Sequence, residues 1–145
     1  MSTNTRLTAV APDLVALGEG LSASKRKALA RLVAGWACGE TGTMAFLGED
    51  RVKCLLDDAH TTTQHDRERL SRDVDDLDEK YFVIVEQYDG LDGGGEALTW
   101  FHKARAAAAL LYSLDSDAVQ GFCETLYEAQ AATDDLAGLK ALCRR

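Results

Sequence analysis

Proline is almost missing from this chain: Pro12 is the only one. Helices therefore meet few built-in breaks, because proline lacks an amide donor and clashes with the preceding turn. Evenly spaced short segments of alternating polar and apolar residues, the mark of half-buried strands, are missing too. Together these absences point away from an all-β fold. Excess positive charge is also lacking. The formal net charge is −8 and the pI is near 4.8. That argues against direct binding to nucleic acid or to an anionic membrane, both of which attract cationic surfaces. None of the four cysteines, Cys38, Cys54, Cys123 and Cys143, shows Cys-x-x-Cys spacing, which removes the commonest metal and redox motifs. The N-terminus carries one arginine and Asp13 breaks its apolar run, so no secretory leader is read there. The expectation is a cytoplasmic protein with reduced thiols, in which Cys54 and Cys123 sit on apolar helix faces.

What the chain does have is helical periodicity. The longest apolar stretch is EALTWFHKARAAAALLYSL, residues 96–114. Trp100, Ala104, Ala107, Ala108 and Leu111 fall on one face, widened by Phe101 and Leu110. Alanine loses no side-chain entropy in a helix, and the run 106–109 lets neighbouring helices come close. Nineteen residues approach the length of a membrane span, but Glu96, His102, Lys103 and Arg105 argue against one.

The remaining segments can be taken in order. Residues 1–9 are expected to form a disordered arm. Pro12 suits the first turn of a helix carrying Leu14, Leu17 and Leu21, ended by Gly18 and Gly20. Ser22 or Ser24 caps a second helix with Leu29, Leu32, Val33 and Trp36 on one face and Lys25, Arg26, Lys27 and Arg31 on the other. Residues 38–48 hold three glycines and read as a connection, with Met44, Phe46 and Leu47 tucked into the core. Asp50 caps a third helix carrying Val52, Leu55 and Leu56. Thr63 and Asp66 have capping-box spacing and open a long helix running to Tyr88. Its stripe of Leu70, Val74, Leu77, Tyr81, Ile84 and Tyr88 is heptad-like but under three heptads long, and packs inside a bundle or against a second copy of the chain. A rival reading makes YFVIV at 81–85 a strand, but it has no partner strand. Asp115 or Ser116 caps a helix with Val119, Phe122, Cys123 and Leu126, and Thr133 or Asp134 caps a last one with Leu136, Leu139 and Cys143. The fold predicted is all-α, a single compact bundle of six to seven helices within one domain.

Charge is distributed unevenly. Between Asp73 and Glu96 there are nine acidic residues and one basic residue, Lys80, so this segment alone carries the net charge of the whole chain. It is read as a solvated helix surface or as a docking face for a basic protein, with Asp73, Asp75, Asp76, Asp78, Glu79, Glu86, Asp89 and Asp92 as the partner-binding set. The neighbouring DGLDGGGEALTW, residues 89–100, fails as a calcium loop: starting at Asp89, Leu91, Gly93 and Trp100 occupy ligand positions. The glycines also fail as a phosphate cradle, since Asp89, Asp92 and Glu96 repel phosphate and no Gly-Lys-Ser/Thr follows.

Among the histidines, Asp57 and His60 have the three-residue spacing of two ligands on one helix, but no second such motif completes a di-metal bundle. His65 lies in the same turn region. His102 on the apolar helix is a candidate general base without a nucleophile motif nearby. Trp36 and Trp100 are read as packing residues. No cofactor, metal or catalytic residue is therefore assigned. Three functions remain in play. The first is a non-enzymatic acidic protein-binding module, in its sharpest form an immunity protein or toxin inhibitor that neutralises a basic nuclease. The second is a small helical enzyme or metal-binding bundle using Asp57, His60 and His102. The third is an acidic nucleic-acid mimic that blocks a DNA-binding protein.

Overall fold

The computed structural model describes residues 5–87 and 95–145. Nine helices are present among them: α1 (Arg6–Val10), α2 (Pro12–Gly20), α3 (Ala23–Thr41), α4 (Thr43–Leu47), α5 (Glu49–Leu56), α6 (Gln64–Gln87), α7 (Glu96–Ser113), α8 (Val119–Thr133) and α9 (Leu136–Cys143). The all-α class holds, and no strand occurs among the described residues. Residues 81–85 are helical, within α6. The count exceeds the expected six to seven because two short helices, α1 and α4, lie where an arm and a loop were expected. α1 exists because its residues have somewhere to dock. Leu7 is fully buried, and Arg6 reaches two carboxylates on α8. α4 is a single turn between Gly42 and Gly48, both in positive-φ conformations that favour glycine. It buries Leu47 and leaves Phe46 substantially exposed.

The apolar stretch 96–114 takes the position its composition implied. α7 packs against α8, α6 and α3, and α3 also packs on α8. Ala104, residues 106–109 and Leu110 are buried, with Trp100 and Leu111 half-buried against the same core. Ala30, Ala34 and Ala37 of α3 are fully buried as well. Small residues on both helices permit close approach: the Cys38 thiol of α3 lies 3.7 Å from the Ala106 carbonyl of α7. The polar side chains on α7 reach neighbouring helices. Lys103 Nζ donates to the Thr41 carbonyl at the end of α3 (2.8 Å), where a cation complements the helix dipole. No described helix is long and apolar enough to cross a membrane.

Caps fix several boundaries. Ser22 Oγ accepts from the Lys25 amide. Thr63 and Asp66 form the reciprocal pair expected: the Asp66 amide donates to Thr63 Oγ1 (3.1 Å) and the Thr63 amide to Asp66 Oδ2 (3.0 Å). Elsewhere the boundaries move. Asp50 lies in the first turn of α5, behind Gly48 as N-cap. The residue preceding α8 is Ala118, so neither Asp115 nor Ser116 caps it. Asp135 caps α9 through the Gly138 amide (2.8 Å), because Asp134 is held in the left-handed region at the end of α8.

The face of α3 is also turned from the one expected. Arg31 is buried and Leu32 is half exposed. The stripe facing the core is Ala30, Val33, Ala34, Ala37 and Cys38, and Arg31 is held at its margin by Asp58 (2.7 Å). Arg31 and Leu32 line a cavity of about 540 Å³ with Trp36, Leu56 and Leu142. Arg26, expected on a free basic face, instead donates to the Gly18 and Leu21 carbonyls at the end of α2 and to the Asp117 carbonyl.

Candidate functional site

α6 is amphipathic in the manner its spacing implied. Leu70, Val74, Leu77 and Ile84 are buried and Tyr81 is half-buried. This stripe packs on α7 within the chain. The carboxylates of α6 fall into two sets according to which way the helix turns them. Asp73 pairs with Arg51 of α5 (2.5 Å). Asp78 receives both hydrogen bonds of the Arg105 Nη2 group of α7, at 2.9 and 3.0 Å. These two are inward-leaning and neutralised by the protein itself.

Asp75, Asp76, Glu79 and Glu86 are exposed and have no ion-pair partner among the described residues. Their spacing places them along the outer stripe of α6. Interleaved on that stripe are Phe82, 60% exposed, and Val83, 51% exposed. Sequence reasoning missed these two: the stripe already put Tyr81 and Ile84 on the core side, but the outward face was read for its carboxylates alone and not for Phe82 and Val83. Asp89 and Asp92 of the expected set, together with Tyr88, Gly93 and Gly94, lie outside the described residues.

Behind Asp78 an ionic chain crosses the molecule. Arg105 also donates to Glu128 of α8 (3.0 Å). Glu128, 2% exposed, accepts from Arg6 as well (2.7 Å), and Arg6 pairs with Glu124. Buried carboxylates are tolerable only when paired and hydrogen-bonded in this way. Arg6 lies over the Tyr127 ring at 4.2 Å. The chain borders a cavity of about 360 Å³ walled by Tyr81, Phe82 and Phe101. It anchors α6 to α7, α8 and α1, so the outer stripe sits on a fixed support.

The histidines are arranged differently from the spacing argument. Asp57 ends α5 and shapes the following turn. Its carbonyl accepts the His60 amide (3.1 Å) and its Oδ1 accepts the Ala59 amide (2.9 Å). The His60 ring turns instead to Asp66, with Nε2 3.0 Å from Oδ2, and to Cys54, with Sγ 3.3 Å from Nδ1. Cys54 is exposed, not part of an apolar face. The Asp66 carboxyl is held down to about 2 by the Thr63 amide and by His60. His65 is exposed. His102 is half-buried beside Phe101 and borders a separate small cavity with Glu40 and Thr133. Among the described residues no group of three His, Cys, Asp or Glu side chains is placed to hold a metal ion.

Comparison with protein-family models, with curated protein sequences and with solved structures returned no match to this chain.

Proposed function

We propose that this chain is a non-enzymatic protein-binding module that docks a basic partner along the outer stripe of α6, in its sharpest form an inhibitor that neutralises a cationic toxin such as a nuclease. The observation that carries the reading is the stripe itself: four exposed carboxylates without partners among the described residues, with Phe82 and Val83 exposed among them. The division of labour is physical. Exposed charge steers encounter and rejects like-charged surfaces. Desolvated aromatic and aliphatic side chains at the centre of a contact hold the complex together. The ionic chain behind Asp78 keeps the helix in place, so little ordering is needed on binding. The same interleaving weighs against a nucleic-acid mimic, because two apolar side chains interrupt the row of negative charge.

The test begins by capturing partners from a native lysate with wild-type protein and with the variant Asp75→Lys, Asp76→Lys, Glu79→Lys. A basic protein retained by the wild type at low salt, released by salt and missed by the variant is the expected result. With that partner in hand, the variant's association rate should fall by about tenfold or more at low ionic strength, while Phe82→Ala should mainly speed dissociation. Equal capture by both proteins, or equal association rates, rejects the α6 stripe as the docking face.

A further inference from the structure

We propose that Cys54, His60 and Asp66 form an activated thiol that undergoes thiol–disulfide exchange with small disulfides. Three elements bring the groups together: Cys54 near the end of α5, His60 in the following turn, and Asp66 in the first turn of α6. The sequence separates them by six residues each way, and only the fold of the turn aligns them. That turn is pinned at both ends. The Asp57 amide donates to the Cys54 carbonyl and the His60 amide to the Asp57 carbonyl, while the capping box locks Asp66.

The hydrogen-bonding roles follow from elementary chemistry. Ionised Asp66 can only accept, so His60 Nε2 carries the proton between them. In neutral His60, Nδ1 is then a bare acceptor facing the Cys54 thiol. The imidazole is thereby fixed in the tautomer that can take the thiol proton, and the carboxylate supports the positive ring that results. Of the four cysteines only Cys54 is exposed. Burial pushes the Cys38 thiol up to about 12 and the Cys143 thiol up to about 11, and also raises Cys123, which makes all three poor nucleophiles.

The step balances within its own reactants. The Cys54 proton passes to His60 Nδ1 as the sulfur attacks one sulfur of the incoming disulfide. A new S–S bond forms, the old one breaks, and its electron pair leaves on the second sulfur. His60 returns the proton to that departing thiolate. The disulfide is reduced by one thiol equivalent, and Cys54 is left as a mixed disulfide. With the other cysteines buried, a thiol from solution must resolve it, so the product is a reversible cap at one position.

The probe is an aromatic disulfide that releases a coloured thiolate, added in excess to native protein at neutral pH. One thiol per chain should react in a fast phase, and Cys54→Ser should abolish it. His60→Gln should slow it by roughly tenfold or more, and Asp66→Asn should slow it in the same direction. The direction of these effects separates chemistry from architecture: if the contacts only hold the turn, removing them frees Cys54, and the rate stays level or rises. Denatured wild type and variants provide the common reference for an unassisted thiol. Oxidised glutathione followed by mass analysis should place one glutathione on Cys54. The proposal is overturned if native Cys54 reacts no faster than the denatured chain, or if both variants match the wild type. Because the readout needs no protein partner, its result is independent of the α6 docking experiment.

Discussion

Two glycines in the last turns of helices should respond to alanine in opposite directions. Gly39 lies on the exposed side of α3, and a Cβ added there meets nothing within 4 Å. Replacing glycine by alanine in an unobstructed helix gains about 0.5–1 kcal/mol, because the unfolded chain has less freedom to lose. Gly18 of α2 would gain the same amount, but its new Cβ would stand 2.5 and 2.6 Å from Cδ1 and Cε1 of Phe122. Ordinary carbon contacts are about 3.5–4.0 Å, so the ring must retreat by about 1 Å. Phe122 is fully buried, and a close-packed interior gives it nowhere to go. Overpacking of this kind costs about 1–3 kcal/mol. Gly39→Ala should therefore raise the unfolding midpoint and Gly18→Ala should lower it, the two differing in denaturant titrations by the overpacking cost of about 1–3 kcal/mol. For a chain of this size, each kcal/mol moves the melting temperature by about 2–4 °C. Adding Phe122→Leu to Gly18→Ala should recover part of the loss, giving a double-mutant coupling of about 1 kcal/mol or more. If Gly18→Ala stabilises as Gly39→Ala does, then α2 and α8 are not in the contact described and the reasoning fails.

Other outcomes follow from the charged groups. Glu128→Gln leaves an amide between Arg6 and Arg105, so chemical denaturation should show a loss of about 2–3 kcal/mol, below the full effect of breaking a buried pair because each arginine keeps a second carboxylate. Asp78→Asn should lower stability by about 1–2 kcal/mol through Arg105, whereas Asp76→Asn should stay within about 0.5 kcal/mol yet weaken partner capture. Asp66 has a carboxyl held below its unfolded value, so its ionised form favours the native state. That contribution is complete above about pH 4 and disappears as pH falls through about 2; the stability gap between wild type and Asp66→Asn should close over that interval.

Periodicity made the main helices legible because burial is read by spacing. The stripe from Leu70 to Ile84 and the alanines of α7 could be placed from the sequence for that reason. Thr63 and Asp66 were legible because a capping box is local. Gly18 was misread as a helix stop, since the signal that requires glycine there is a phenylalanine 104 positions later in the chain. Arg31 and Leu32 exchanged roles because residue type favours leucine inside, whereas the angle at which α3 lies on the core decides. The candidate docking face was half legible: composition marked the segment, but only the partners of Asp73 and Asp78 reveal which carboxylates are already occupied. The alignment of Cys54 with His60 and Asp66 had no signature in the sequence, because it depends on a turn that brings side chains from separate helices together.

Arg6 joins the start of the chain to residues 118 and 122 positions further on. A five-residue helix has no stability of its own, so α1 cannot form its native contacts until α8 exists. During synthesis it emerges before α8 and must wait for it. Until then Leu7 and its site on α8 are both open to water, Glu124 lacks its guanidinium partner, and Glu128 has only Arg105 of its two. A helix made before α8 is thus completed only after it.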